Sequence, residues 1–104
     1  MQRIAFKMKL FEGCEAEYKK RHDELWSDLK KLLKDAGIAD YSIFLDAETN
    51  FLFAYLTVVD AKKLDALSQE PVMQNWWHFM KDIMQTNEDG SPVVVELKEM
   101  FYLR

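Results

Sequence analysis

The N-terminal segment alternates between apolar and polar positions. Ile4, Phe6, Met8 and Leu10 interleave with Arg3, Ala5, Lys7 and Lys9, the period-2 pattern of a half-buried strand. Glu12-Gly13-Cys14 interrupts it. From Glu15 to Ala36 the spacing becomes helical. Tyr18, His22, Leu25, Trp26, Leu29, Leu32, Leu33 and Ala36 fall within an arc of about 120° at roughly 100° per residue. Lysines, acids and Ser27 cover the rest of the wheel, and Gly37 stands where a C-cap glycine belongs. This predicts a single helix over residues 15–36.

Tyr41 to Asp46 reads as a strand, and Asp46-Ala47-Glu48-Thr49-Asn50 has the residue types of a turn. Phe51 to Val59 follows without a charge, which predicts a strand apolar on both faces. Asp60 can cap a short helix over 61–67. Pro71 suits the first turn of a second long helix running to about Met84. Gln85 to Pro92 reads as a loop, and Val93 to Leu103 as the closing strand.

The order β-α-β-β-α-β predicts an α+β, ferredoxin-like antiparallel sheet with its helices on one face. With no repeats and no linkers, residues 1–104 form one domain. Both predicted helices lie on one side of the sheet, so the apolar Phe51–Val59 strand needs a cover on the other. A second copy of the same sheet supplies it, giving a face-to-face homodimer.

Composition narrows the partners. The 104 residues carry 14 Lys+Arg against 18 Asp+Glu, a net charge of −4, which removes the main electrostatic reason to expect nucleic acid. No stretch approaches the roughly 18 apolar residues of a membrane span, and charges interrupt the N-terminal residues where a signal peptide would be apolar. The single cysteine, Cys14, suits a reducing compartment. Together these predict a cytoplasmic protein with no membrane partner.

The candidate chemistry is sparse. His22 and His78 are far apart, and no His-x-x-x-His, Cys-x-x-Cys or EF-hand spacing occurs, so no metal is expected. The three glycines are isolated and make no phosphate-cradling loop. Cys14 has acidic neighbours, Glu12 and Glu15, and no base beside it in sequence, which argues against a nucleophile. His78 falls on the side of Gln74, Lys81 and Asp82 and is expected in solvent. His22 falls inside the apolar arc between Tyr18 and Trp26. Periodicity alone places a hydrogen-bonded core histidine ahead of a catalytic one, although an imidazole is the natural proton carrier at neutral pH. Trp76-Trp77 divide evenly between core filler and flat walls for the C–H faces of a sugar. Arg21 and the neighbouring lysines alternate with acids and read as a solvated helix face.

Four stretches together carry a more specific likeness. Glu17-Tyr18-Lys19-Lys20-Arg21-His22-Asp23-Glu24-Leu25-Trp26, Tyr41-Ser42-Ile43-Phe44-Leu45-Asp46, Trp76-Trp77 and Ser91-Pro92-Val93-Val94-Val95-Glu96-Leu97 resemble the L-rhamnose mutarotase family. The likeness extends to the Phe101-Tyr102-Leu103 ending and covers essentially the whole chain. It departs at Ser27, where the family pattern leads one to expect proline. The resemblance implies a dimeric α+β barrel built from two ferredoxin-like protomers. It also implies a cofactor-independent isomerase that exchanges the α and β anomers of L-rhamnose. Carried over by position, the proton-donating histidine falls on His22, and the sugar-contacting residues fall on Tyr18, Tyr41, Trp76 and Trp77. Two other readings fit an aromatic pocket: a cofactor-independent monooxygenase of the same fold, and a small-molecule binding module without chemistry.

Overall fold

Eight elements follow one another in a computed structural model describing all 104 residues. They are β1 (Gln2–Lys9), α1 (Glu15–Asp23), α2 (Ser27–Asp35), β2 (Ile38–Asp46), β3 (Phe51–Val58), a 3₁₀ segment (Ala61–Gln69), α3 (Pro71–Met80) and β4 (Val95–Glu96). The strands form one antiparallel sheet in the order β2-β3-β1-β4, the ferredoxin-like arrangement expected from the element order.

Register decides which side chains share a face. Ile4, Phe6 and Met8 pair with Leu56, Ala54 and Leu52, and Ile43 and Leu45 pair with Ala54 and Leu52. Because strand side chains alternate, this set forms the inner face, against which the helices pack. The central cluster joins Met8, Leu10, Leu52 and Ala54 of the sheet side to Tyr18, Leu29, Trp76 and Met80 of the helices. On the opposite face Phe53 pairs with Lys7 and Phe44, and Tyr55 pairs with Ala5 and Ser42. Phe44, Phe53 and Tyr55 are exposed there, with Phe44 67% accessible. Within the chain β3 is therefore covered on one side only.

The helix predicted over 15–36 is two helices. Its chain breaks at Trp26, which is extended at φ −60° and ψ 134°. The Leu25 N–H bonds the His22 carbonyl at 3.2 Å, tightening the end of α1, and α2 begins with the Lys30 N–H on the Trp26 carbonyl at 2.9 Å. The break frees the Trp26 indole to pack edge-on against Trp76 at 5.1 Å and, tilted by 34°, against Phe79 at 5.5 Å. Both short helices turn an apolar side inward, so the spacing alone reads as one helix.

The second long helix ends at Met80 rather than Met84. Beyond it the backbone turns back to β1. Phe11 donates to the Ile83 carbonyl and Gln85 to the Lys9 carbonyl, both at 2.9 Å, and these bonds replace a further helical turn. The short helix after Asp60 is a 3₁₀ run, started by the Asp60 carboxylate accepting from the Lys62 N–H at 3.0 Å.

The closing strand is also shorter than Val93–Leu103. Only Val95–Glu96 pair with β1, followed by one bond from the Leu97 N–H to the Ala5 carbonyl. From there the tail is held by side chains: Arg3 grips Glu99 at 2.8 Å and lies over the Tyr102 ring at 3.4 Å. Met100, Phe101 and Leu103 project outward, each at least 80% accessible.

Candidate functional site

A cavity of about 910 Å³ opens between the inner face of the sheet and the helices, within the size range of small-molecule sites. Its walls bring together all five residues singled out from the sequence: Tyr18, His22, Tyr41, Trp76 and Trp77. They come from three elements. Tyr18 and His22 are one turn apart on α1, Tyr41 lies on β2, and Trp76 and Trp77 lie on α3. Tyr41 reaches the inner face because its register partner is Leu56. His78 is exposed on α3 and does not line the cavity.

His22 is held from two directions. Its ring stacks on Tyr18 with centroids 4.3 Å apart and meets Trp76 edge-on at 5.4 Å. Its Nδ1 lies 3.0 Å from the Tyr18 carbonyl oxygen. A carbonyl only accepts, so Nδ1 carries the hydrogen and donates it, leaving Nε2 as the nitrogen that gains or loses a proton. Burial lowers the His22 pKa from its ordinary 6.5; the bond to the Tyr18 carbonyl and the charge of Asp23 oppose the shift without reversing it. At neutral pH the ring is neutral and Nε2 presents a lone pair.

The phenols are tuned the other way. Tyr41 as a whole is 40% accessible, but desolvation around its phenol pushes it up to about 12. Tyr18 is raised further, by burial first and then by the nearby Tyr41 phenol. Both remain O–H groups across the physiological range, able to donate as well as accept. Trp76 is 6% accessible and belongs to the ring cluster with Trp26 and Phe79. Trp77 joins none of these ring pairs, is half-buried, and also walls the cavity.

Two features escaped the sequence reading. The loop after α3 contributes Asn87 and Ser91 to the cavity wall. There the Asn87 amide donates to the Ser91 hydroxyl at 3.1 Å. A polar loop with turn-forming residues gave no sign of facing inward. The second is Arg21, which is not a solvated residue. Its side chain is 12% accessible and bonds Glu17 and Asp82. The Glu17 spacing was visible as an i, i+4 pair, but Asp82 is too distant in sequence to be paired by inspection.

The sequence model of the L-rhamnose mutarotase family matches residues 3–103. The L-rhamnose mutarotase of Mesorhizobium japonicum is 54% identical over 102 residues, covering 98% of this chain and 97% of its own. A crystal structure of an L-rhamnose mutarotase from Formosa agariphila superposes with a TM-score of 0.94 at 50% identity, covering 100% of both chains. A crystal structure of an antibiotic biosynthesis monooxygenase superposes with a TM-score of 0.63 at 12% identity, covering 96% of this chain and 99% of its own. That last likeness extends to the fold alone.

Proposed function

The chain belongs to the L-rhamnose mutarotase family, and we propose that it moves the protons of anomer exchange through one group, Nε2 of His22. The activity is an isomerisation that interconverts the α and β anomers of L-rhamnose. It requires the anomeric hydroxyl to lose a proton and the ring oxygen to gain one. The observation that carries the proposal is the Nδ1 contact to the Tyr18 carbonyl, which leaves Nε2 as the titrating atom.

The neutral imidazole takes the anomeric proton at Nε2. The bond from the anomeric carbon to the ring oxygen breaks, its electron pair going to the ring oxygen as the anomeric carbonyl forms. The imidazolium then donates its proton to the ring oxygen, the general-acid role, and is neutral again. Rotation of the open aldehyde followed by the reverse transfers closes the ring on the other face. Both oxygens are attached to the same carbon, so one nitrogen can serve them in turn. The remaining residues hold the sugar: Trp76 and Trp77 as walls against its C–H faces, Tyr18 and Tyr41 as hydrogen-bonding phenols. The cycle regenerates its own proton carrier, which is why the proposal involves no cofactor or metal.

We also propose that residues 1–104 act as one domain and work as a homodimer in the cytoplasm. Support for the second copy comes from the uncovered aromatic face of Phe44, Phe53 and Tyr55 and from the outward apolar tail. No helix is long and apolar enough to cross a membrane, and the free Cys14 thiol suits a reducing compartment. The net charge of −4 gives no support to a nucleic-acid partner.

The deciding experiment is saturation-transfer NMR of anomer exchange on L-rhamnose with the protein and with His22→Asn. The substitution keeps a planar polar side chain and removes the titrating nitrogen. Turnover should fall by about 10²–10⁴, the usual worth of general acid–base catalysis, with sugar affinity little changed. His78→Asn should be silent. Intact exchange in His22→Asn, with only a lower melting temperature, would assign His22 to packing instead.

A further inference from the structure

Arg21 sits next to the proposed proton carrier in sequence, yet points away from the cavity and is absent from its wall. Its guanidinium makes an unusually complete set of contacts for a residue on a helix surface. Nε donates to Glu17 Oε2 at 2.7 Å, within α1. Nη1 donates to Asp82 Oδ1 at 2.8 Å and Nη2 to Asp82 Oδ2 at 3.2 Å, a two-pronged grip on the turn after α3. Nη1 also donates to the Phe79 carbonyl at 2.7 Å, and the guanidinium lies over the Phe79 ring at 4.4 Å.

The Phe79 carbonyl belongs to the last turn of α3, where carbonyls lack helical partners and the helix end carries partial negative charge. Arg21 therefore caps α3 from α1 and holds the two helices together. Those helices carry the two halves of the site. His22 is on α1, the sugar walls Trp76 and Trp77 are on α3, and the His22 and Trp76 rings meet at 5.4 Å. Phe79 touches Trp76 at 5.7 Å and Trp26 at 5.5 Å, so the clamp also bears on the ring cluster behind the wall.

We infer that Arg21 is a positioning residue for anomer exchange, fixing the His22 imidazole against a sugar held on the α3 indoles through its grip on Asp82 and the Phe79 carbonyl. The inference rests on the His22 reading above. Proton transfer is steep in distance, and a misplacement of about 1 Å can cost on the order of 10²-fold in rate. Sugar affinity, shared between the α3 indoles, Tyr41 on β2 and Tyr18, should survive a loosened clamp better than proton transfer does. The effect belongs in kcat rather than KM.

Asp82 gives the cleaner test because its side chain is 64% accessible and it does not line the cavity. Asp82→Asn weakens the grip without opening a void. We expect kcat for anomer exchange on L-rhamnose to fall about tenfold in Asp82→Asn and further in Arg21→Met, with KM within about twofold of the parent. Arg21→Lys should recover little, because an ammonium cannot make the fork. In a His22→Asn background, Arg21→Met should reduce the residual rate no further, since the group it positions is gone. The inference is overturned if Asp82→Asn keeps kcat within twofold of the parent, or if Arg21→Met costs the same factor with and without His22. Should Arg21→Met not fold, Asp82→Asn decides alone. Full activity in His22→Asn by itself would instead remove the His22 reading on which the inference stands.

Discussion

Tyr18 holds His22 twice: its carbonyl oxygen lies 3.0 Å from the imidazole Nδ1, and its own ring stacks on the imidazole at 4.3 Å. One residue thus fixes both the tautomer and the tilt of the ring. The spacing that achieves this is a single helical turn on the buried side of α1.

The pH dependence of exchange follows from that arrangement. On the proposed cycle a neutral resting imidazole takes the anomeric proton, so protonating it from solvent would remove activity. The rate should be level above neutrality and fall as pH drops through a value below the ordinary 6.5, because burial lowers the His22 pKa. A rate that instead rises as pH falls through this range would mean that His22 must start protonated. Stability has the same sign. The unfolded chain binds the proton first, so stability present above about 6.5 is lost as pH falls from there through the lowered folded value. Melting temperatures measured from pH 8 to 5 should show this loss, and His22→Asn should remove its share.

Trp77 offers a test of sugar affinity apart from chemistry. It walls the cavity but makes none of the ring contacts that organise His22 and Trp76. Trp77→Ala should raise KM for L-rhamnose about tenfold, equivalent to roughly 1.4 kcal/mol, with a smaller effect on kcat. A kcat loss at unchanged KM would place Trp77 in the proton-transfer geometry instead.

The outer face of the sheet predicts the assembly. Phe44 and Phe53 are register partners on neighbouring strands, both exposed. Phe44→Asp puts a charge where a second sheet would pack and should shift the protein from dimer to monomer in sedimentation velocity at micromolar concentration. A parent that already sediments as a monomer would leave that face without a second copy.

Gly37 ends the α2 turn at φ +94°, a left-handed conformation that L side chains adopt at a cost. A Cβ there would make only ordinary contact with Val59 Cβ at 3.5 Å, so the cost lies in the backbone conformation. Gly37→Ala should destabilise the protein by about 1–2 kcal/mol in urea unfolding while leaving exchange intact, because Gly37 does not line the cavity. A change within a few tenths would show that the turn relaxes freely.

The sequence made the fold legible wherever a period was clean. Alternation at Ile4–Leu10 and the uncharged run at Phe51–Val59 marked β1 and β3, and both strands pair as their patterns require. The break in the first helical segment was hidden because Ser27 opens α2 without the proline that would mark a first turn, while Tyr18, Leu25 and Leu29 keep turning inward on either side. The ends of α3 and β4 lie elsewhere than the pattern predicts because both are set by bonds to β1 and the residues just after it, through Lys9, Phe11 and Ala5, and a residue's own neighbourhood does not encode a partner that far away. For the site, the phase of His22 and the paired indoles pointed to surfaces that line one cavity. Their proposed roles rest on the resemblance, since a half-buried histidine and a pair of inward-facing tryptophans look alike in a core and in a pocket. Arg21 was invisible for the same reason as the element ends: its meaning lies in Asp82 and Phe79.

The turn between β2 and β3 bears on how the sheet comes into being. Asp46 accepts from the Glu48 N–H at 3.1 Å and from the Thr49 hydroxyl at 2.9 Å, and Asn50 adopts φ 64° to complete the reversal. This hairpin closes over a few residues, whereas β1 meets β3 only after the whole helical segment has been gathered in between. Short closures lose less chain entropy, so the β2–β3 ribbon is the part of the sheet able to form first and to template β1. Substitutions in the Asp46 turn would then register in the refolding rate, and those in β4, at the edge of the sheet, in the rate of unfolding.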